Sequence, residues 1–400
     1  MSHIVVVGAG QAGSSLVVKL RETGFDGQIT LIGDEAAPPY QRPPLSKAYL
    51  LGEMPRERLF LRPEAFYAER DITLRTGAAV TAIDPAAKTL DLGGESLSFD
   101  QLALTTGSLP RRLPDAIGGS LDGLYYVRTL ADVDAMATEF SEGRRLLIVG
   151  GGYIGLEAAA VAAKQGLKVT LVEMADRILQ RVAAPETSDY FRALHKGHGV
   201  DIREGIGLTR LTGDGPVTGA ELTDGTVIEA DFVIAGTGIL PDTRLAEAAG
   251  LTCDNGIAVD EQGRTSADGI WAAGDCASFP HGGARLRLES VPNAIDMAEC
   301  VAQNMCGAGK TYVPEPWFWS DQYDIKLQIA GLNVGYDRVV VRDGGEARSH
   351  WYYAGDTLLA VDAMNDPRGF MVGKRLLSMG KSPDPAALAD PATELKTLMR

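Results

Sequence analysis

Leu146–Glu173 reads LLIVGGGYIGLEAAAVAAKQGLKVTLVE. The four apolar residues Leu146 to Val149 suit a parallel strand buried on both faces. Gly150, Gly152 and Gly155 follow in G-x-G-x-x-G spacing. The alanine-rich run from Tyr153 to Gln165 predicts a helix, and Lys168 to Val172 predicts a second strand that ends at Glu173. Strand, glycine turn, helix, strand and terminal acid are the parts of a dinucleotide-binding βαβ unit. Gly150 makes the tight turn, Gly152 lets a pyrophosphate approach the backbone, and Gly155 lets helix and strand pack closely. The helix N-terminus offers free N–H groups to phosphate. Glu173 is placed to accept hydrogen bonds from a ribose diol. Three glycines, Glu157 and Lys164 interrupt the apolar run, which excludes a membrane span here.

The start of the chain repeats this unit. Ile4 to Val7 is a predicted strand, and Gly8, Gly10 and Gly13 reproduce the spacing. A helix is expected over about Ala12 to Thr23 and a second strand over Ile29 to Ile32, followed by Asp34 and Glu35. Two dinucleotide sites in one chain suit a nicotinamide cofactor at one and a flavin dinucleotide at the other. Together they make an electron-transfer enzyme.

The 400 residues suggest two or three domains, and a hydrophobic fraction of 45% is ample for packed cores. The formal net charge of −15 argues against nucleic acid and against anionic membrane surfaces. The opening MSHIVVVGAG enters a strand pattern without a basic leader, so the expected location is cytoplasmic. Cys253, Cys276, Cys300 and Cys306 form no C-x-x-C pair and are expected to be reduced and mostly buried. His195 and His198 in HKGHG lack further ligands nearby and read as a solvated helix end, so no metal site is expected.

Between the two glycine motifs, Ala37 to Leu50 (APPYQRPPLSKAYL) carries four prolines, so irregular chain is expected until about Leu45, then a short helix near Ser46 and Lys47. Leu102 to Leu104 and Phe232 to Ala235 are expected strands that run into Thr105-Thr106-Gly107 and Gly236-Thr237-Gly238, each with a proline beyond. Both read as crossings between nucleotide domains. Gly269 to Cys276 predicts a strand ending in Gly274-Asp275, which puts a carboxylate past the carboxyl end of a parallel sheet, where ligands bind. Ser290 to Met305 predicts a helix. From Pro314 onward the pattern changes to an antiparallel sheet with a helical tail: strands over Lys326 to Ile329, Arg338 to Val341, Trp351 to Tyr353 and Leu358 to Val361. The fold class is α/β, with two Rossmann-like dinucleotide-binding domains and a C-terminal α+β domain.

PYQRPPLSK (Pro39 to Lys47), GGGYIGLE (Gly150 to Glu157), AAGDC (Ala272 to Cys276), ESVPNA (Glu289 to Ala294) and PWFWSDQ (Pro316 to Gln322) together resemble the flavin-dependent pyridine nucleotide–disulfide oxidoreductase superfamily. More narrowly, the chain resembles the NADH-dependent ferredoxin reductases that serve bacterial oxygenases, of the putidaredoxin reductase type. The resemblance implies a glutathione-reductase-like arrangement: an FAD domain over 1–108 and 236–313, an NADH domain over 109–235, and a C-terminal domain over 314–400. It assigns Gly8, Gly10, Ala12, Gly13, Asp34, Lys47, Val80, Arg128, Asp275 and Val291 to FAD. Gly150, Gly152, Gly155, Glu173, Gly236 and Gly238 go to NADH. Asp34 would take the adenosine ribose and Asp275 the ribityl chain. Lys47 and Glu157 would pair near the flavin, with Tyr153 beside it where nicotinamide stacks. These three are the implied catalytic residues.

The implied activity is hydride transfer from NADH to FAD, then single electrons to a [2Fe–2S] ferredoxin that supplies a haem-thiolate monooxygenase. A Rieske-type ring-hydroxylating dioxygenase is the alternative consumer. A disulfide reductase on the same scaffold needs a close cysteine pair beside the flavin, which the spacing does not provide. An NADH oxidase or peroxidase would need a single redox cysteine or open oxygen access near the flavin, and Cys276, after Gly274-Asp275, is the cysteine near enough in sequence. With so acidic a chain, ferredoxin docking must rest on local residues, for which Arg285, Arg287, Lys326, Arg368, Lys374, Arg375, Trp317 and Trp319 are the candidates.

Overall fold

A computed structural model describes residues 2–399. The chain packs into two compact units. The first comprises Met1–Arg42, Pro55–Leu109 and Ile239–Pro316; the second comprises Pro43–Met54, Pro110–Gly238 and Trp317–Arg400.

The first unit is built on a five-stranded parallel sheet in the order Ile270–Ala272, Gln101–Leu104, His3–Val7, Gln28–Ile32, Ile72–Arg75. Ile4, Val5 and Val6 are fully buried, as expected for a central strand covered on both faces. The helix Gln11–Glu22 follows the first strand and buries Leu16, Val17 and Leu20. Each such side chain contributes about 1.5–3 kcal/mol through burial. The helix Val291–Met305 starts at Ser290, whose hydroxyl accepts from the Asn293 N–H, and it buries Met297, Ala298 and Val301 in the same core. A three-stranded antiparallel sheet, Ala82–Asp84, Thr89–Asp91 and Ser96–Ser98, turns at Gly93 and Gly94, both with positive φ.

The second unit carries a second parallel sheet in the order Asp201–Glu204, Lys168–Glu173, Arg145–Val149, Phe232–Ala235, Leu124–Tyr125. The helix Tyr153–Lys164 follows Val149 and buries Leu156 through Ala162, a run whose small alanines allow close approach to the sheet. Trp317–Gln322, Ile325–Gly331, Thr357–Met364, Arg348–Ala354 and Arg338–Asp343 form a five-stranded antiparallel sheet in that order. The helix Pro367–Ser378, capped by the Asp366 carboxylate, lays Phe370, Val372 and Leu376 into its core.

Three expectations need correction. Pro43 to Ser46 form a 3-10 turn, because fixed proline φ suits the first turn of a helix even though it breaks the interior. Trp317–Gln322 is an edge strand beyond the four strands expected of the C-terminal sheet. Of the four cysteines, all free, only Cys276 is buried; Cys306 is exposed and caps the end of its helix.

Candidate functional site

Both glycine motifs fold alike, each within its own unit. Gly8 and Gly150 both have φ of +111°, and a Cβ at either would lie against a carbonyl of the neighbouring strand's exit: 2.2 Å from Thr105 O and 2.4 Å from Gly236 O. A Cβ on Gly13 would meet Gly8 O at 2.0 Å, and one on Gly155 would meet Gly150 O at 2.1 Å. These four glycines are required by the chain's own packing. The middle glycines differ. A Cβ on Gly10 or Gly152 would meet nothing within 4 Å. Their φ values, −97° and −80°, are open to any residue, and each precedes a helix with no side-chain cap. Chain packing does not explain them. Both helices present uncapped N–H groups beside backbone with space in front of it, an arrangement with the shape and polarity of a phosphate cradle.

The two units place their acids differently. Strand register pairs Val7 with Ile32 and Val149 with Val172, so Gly33 is the counterpart of Glu173. A Cβ on Gly33 would lie 2.6 Å from the Ala9 methyl, whereas the counterpart of Ala9 is Gly151. The freed space lets Glu173 Oε2 accept from Gly151 N at 2.6 Å while Oε1 accepts from Ala175 N at 2.8 Å. In the first unit the acid therefore comes one residue later, as the exposed Asp34. Its neighbour Glu35 is held by Tyr40 Oη and Arg42.

At the carboxyl end of the first sheet, Gly274 has φ of +83°, and a Cβ there would lie 3.0 Å from Ala12 Cβ. This brings Ala12, Asp275 and the start of the Val291–Met305 helix together. Ser108 Oγ donates to Asp275 Oδ2 at 3.0 Å and Arg287 donates to the Asp275 carbonyl at 3.2 Å. Thr105 Oγ1 donates to Gly8 O, tying the exit of one strand to the glycine turn of the next. Val80 is half-buried against the core of the same unit. Lys47 and Arg128 belong to the second unit. Gly236 N donates to Val149 O; Gly238 has φ of +97°, and a Cβ there would lie 3.6 Å from the Arg181 guanidinium.

Lys47 and Glu157 form the expected pair: Nζ to Oε2 is 2.7 Å, and the Glu157 side chain is 2% exposed. A carboxylate so buried is costly unless fully hydrogen-bonded. Ser46 Oγ donates to Oε2 and Ser320 Oγ to Oε1, each at 2.7 Å. Lys47 also donates to Pro43 O at 3.2 Å. These two bonds leave one of its three N–H groups for a ligand. Tyr153, the first residue of its helix, packs its ring on Phe318 with centroids 4.9 Å apart. Its hydroxyl is buried with no hydrogen-bond partner among the described residues. Burial, with Asp362 and Tyr352 nearby, pushes that phenol well above its ordinary range.

Two further groups were missed or misread in the sequence. Ser46 and Ser320 carry no motif of their own. His195 is fully buried rather than solvated, with Nε2 2.8 Å from Gln322 Oε1. Among the described residues no cluster of metal-ligating side chains occurs, and no helix is long and apolar enough to cross a membrane.

Two phosphate cradles, each on a parallel sheet, and a buried lysine–glutamate pair define an oxidoreductase scaffold for two dinucleotides. The chain belongs to the pyridine nucleotide-disulphide oxidoreductase family, whose description matches residues 2–298; residues 317–399 match the reductase C-terminal family. It is 43% identical to a ferredoxin–NAD(P)(+) reductase of Sphingomonas sp, over 99% of this chain and 97% of that one. Among solved structures it is similar to the reductase in a covalent putidaredoxin reductase–putidaredoxin complex, with a TM-score of 0.96 and 41% identity over 100% of this chain and 98% of that one. It is likewise similar to the ferredoxin reductase for the CYP199A2 system from Rhodopseudomonas palustris, with a TM-score of 0.96 and 39% identity over the full length of both.

Proposed function

We propose that this protein is an NADH-dependent ferredoxin reductase carrying FAD. The observation that carries the reading is the pair of middle glycines, Gly10 and Gly152, open to a ligand in a chain whose full-length relatives are ferredoxin reductases. We assign FAD to the first cradle, with 1–108 and 236–313 as its domain. NADH goes to the second cradle, with 109–235 as its domain, and 314–400 forms the C-terminal domain.

In this reading Gly8, Gly10 and Gly13 shape the turn that receives the FAD pyrophosphate, and the N-terminus of the Gln11–Glu22 helix supplies N–H groups to it. Ala12, Asp34, Val80, Asp275 and Val291 line the same ligand, with Asp34 on the adenosine ribose. Ser108 holds the Asp275 carboxylate towards its task. Gly150, Gly152 and Gly155 do the same for NADH, with Gly236 and Gly238 at the strand exit. Glu173, oriented by two backbone N–H groups, accepts from the adenosine ribose diol. Bound FAD supplies the exchange between a two-electron hydride and single electrons. Lys47 stabilises negative charge on the bound ring, and Glu157 holds Lys47 at that position. Tyr153 shields the stacking face where nicotinamide arrives. All three act by position, since hydride transfer requires close, dry, oriented rings.

The acceptor is a [2Fe–2S] ferredoxin that supplies an oxygenase; the likeness to a CYP199A2-system reductase supports a haem-thiolate monooxygenase as the consumer. The proposed location is cytoplasmic, where four free thiols stay reduced. The test is NADH oxidation by the purified protein with candidate ferredoxins, set against oxygen alone. Ferredoxin should raise turnover well above the oxygen rate and the protein should be yellow with one FAD per chain. A colourless, folded and active protein would overturn the flavin assignment.

A further inference from the structure

Behind Glu157 lies a line of buried polar groups that the proposed reaction does not use, all in the second unit. Ser320, Gln322 and His195 are each 0% exposed. Gln322 Nε2 donates to Ser320 Oγ at 3.2 Å, Gln322 Oε1 lies 2.8 Å from His195 Nε2, and His195 Nδ1 lies 3.2 Å from Tyr323 Oη. The direction of every bond follows from one end. Glu157, as the partner of Lys47, only accepts, so Ser320 must donate to it. Ser320 Oγ then accepts from the Gln322 amide nitrogen. Gln322 Oε1 faces His195, which must therefore carry its proton on Nε2. Burial pushes His195 down to about 4, so the ring is neutral and Nδ1 accepts from the Tyr323 hydroxyl. Four donors in series point at one carboxylate.

The far end of this line is built at a cost. Tyr323 sits in the hairpin turn between Trp317–Gln322 and Ile325–Gly331 with φ of +56°, a conformation that strains a bulky residue and that glycine or asparagine would adopt more cheaply. Its ring stacks on His198 at 3.7 Å and 12°, and its hydroxyl meets His195. The position keeps a tyrosine for its side chain, not for its turn.

We propose that Ser320, Gln322, His195 and Tyr323 are positioning residues that orient the Glu157 carboxylate and, through it, hold the Lys47 ammonium in place. The inference deepens the role given to Lys47 above and rests on it only for its effect on the flavin. Lys47 and Ser46 both meet Oε2 of Glu157, so Ser320 is the side chain that holds Oε1. His198 is the other titratable group acting on His195, and it too disfavours charging that ring. With Ser320 removed, Oε1 loses that donor and the carboxylate is held through Oε2 alone, by Lys47 and Ser46.

The experiment compares wild type with Ser320→Ala, Gln322→Leu and, as a rescue, Ser320→Thr, all purified as the full chain and checked by thermal melting and near-ultraviolet circular dichroism. One arm measures acylation of Lys47 by an amine-reactive ester, read by peptide mass spectrometry. Acylation should speed up by about tenfold in Ser320→Ala, the loss of one hydrogen bond to a charged group, less in Gln322→Leu, and return towards wild type in Ser320→Thr. The other arm measures reduction of the bound flavin by NADH in rapid mixing. Its limiting rate should fall while its dependence on NADH concentration stays unchanged. Unchanged acylation in Ser320→Ala overturns the proposal whatever the flavin does. Faster acylation with unaltered flavin reduction supports the hold on Lys47 and overturns the role of Lys47 proposed above.

Discussion

Gly10 and Gly152 stand at the same step of two βαβ units, and at both the place of a Cβ is empty while the glycines on either side are hemmed in by backbone. The contrast separates two reasons for a glycine within one motif. Gly8, Gly13, Gly150 and Gly155 are needed to fold; Gly10 and Gly152 are needed only if something comes from outside. Gly152→Ala should therefore melt like wild type yet raise the KM for NADH by roughly tenfold or more, because a methyl displaces hydrogen bonds to a charged group. Gly155→Ala should instead lose about 1–3 kcal/mol of stability through overpacking against Gly150 O. Thermal melts and NADH titrations of the two variants check both outcomes. Equal destabilisation by the two changes would remove the argument for a ligand at Gly152.

NADH should be preferred over NADPH by more than about tenfold in kcat/KM, since a 2′-phosphate would face the Glu173 carboxylate and like charges in contact cost several kcal/mol. The geometry refines the expectation. Glu173 is pinned by Gly151 N and Ala175 N, so it cannot swing away from an incoming phosphate. Glu173→Gln removes the charge and keeps one carbonyl acceptor, enough for only one of those two contacts. It should narrow the preference mainly by improving NADPH, and steady-state kinetics with both cofactors measures it.

Asp362 gives the second unit a pH dependence of its own. It is buried with the Tyr352 and Thr187 hydroxyls donating to it, His350 beyond Thr187, and Arg348 donating to His350. Burial raises its carboxyl from 3.8 to about 6. The folded state thus holds this proton more tightly than the unfolded chain, so its contribution rises as pH falls through that window and is lost as pH climbs past about 6. His195 and His350 act oppositely. Burial lowers both to about 4, so their contribution is full above the ordinary histidine range and is lost as pH falls through about 4. A difference experiment isolates Asp362. The melting temperature of Asp362→Asn minus that of wild type should be larger near neutrality than at about pH 4.5. A difference that does not change with pH would show that Asp362 titrates normally.

Replacing all four cysteines with serine or alanine should leave ferredoxin reduction largely intact. Cys276 is the test case for an oxidase or peroxidase. Its thiol is buried with the Leu104 and Ala273 carbonyls in reach of its one S–H, and is pushed up by burial, the opposite of what a reactive thiolate needs. Loss of turnover in Cys276→Ala with flavin still bound would favour the oxidase or peroxidase reading.

What could be read in the sequence was what is local. Strand, glycine turn, helix and acid lie within one short stretch, so the elements from Gly150 to Glu173 and from Gly8 to Asp34 were legible. The one-residue offset between Asp34 and Glu173 was not, because it turns on whether Ala9 or Gly151 faces the strand end. The setting of Glu157 was hidden for a different reason. Its donors Ser46 and Ser320 come from distant parts of the chain, and a serine has no pattern that announces a buried partner. His195 read as solvated because HKGHG is polar throughout. It is buried because Gln322, at the end of a strand that the aromatic and proline-rich PEPWFWSDQ run disguised, and Tyr323, in the turn that follows, cover it.

The ferredoxin should dock through local charge on the C-terminal sheet and its helix, and the structure narrows the candidates. Arg285 bonds Ser278 and Val259 O, and Arg287 bonds Asp275 O and Glu289, so both are engaged within the first unit. Lys374 lies over the Trp317 ring, 5.2 Å from its centroid. Arg368, Met371 and Arg375 remain exposed at helical spacing on one face of Pro367–Ser378, and Lys326 is exposed on a strand of the adjoining sheet. A chain of net charge −15 repels an acidic partner at long range, so these few cations must supply the attraction at contact. Arg368→Glu and Arg375→Glu should each raise the ferredoxin concentration for half-maximal rate by roughly threefold to tenfold. Both should leave NADH reduction of the flavin unchanged. Added salt should act on the same half-reaction alone, since exposed charges are screened and a buried hydride transfer is not. Rapid mixing with NADH, and separately of reduced protein with ferredoxin, reads the two half-reactions. If both reversals leave the ferredoxin step untouched, this helix is not the docking surface; if no ferredoxin outpaces oxygen in the wild type, the protein is not a ferredoxin reductase.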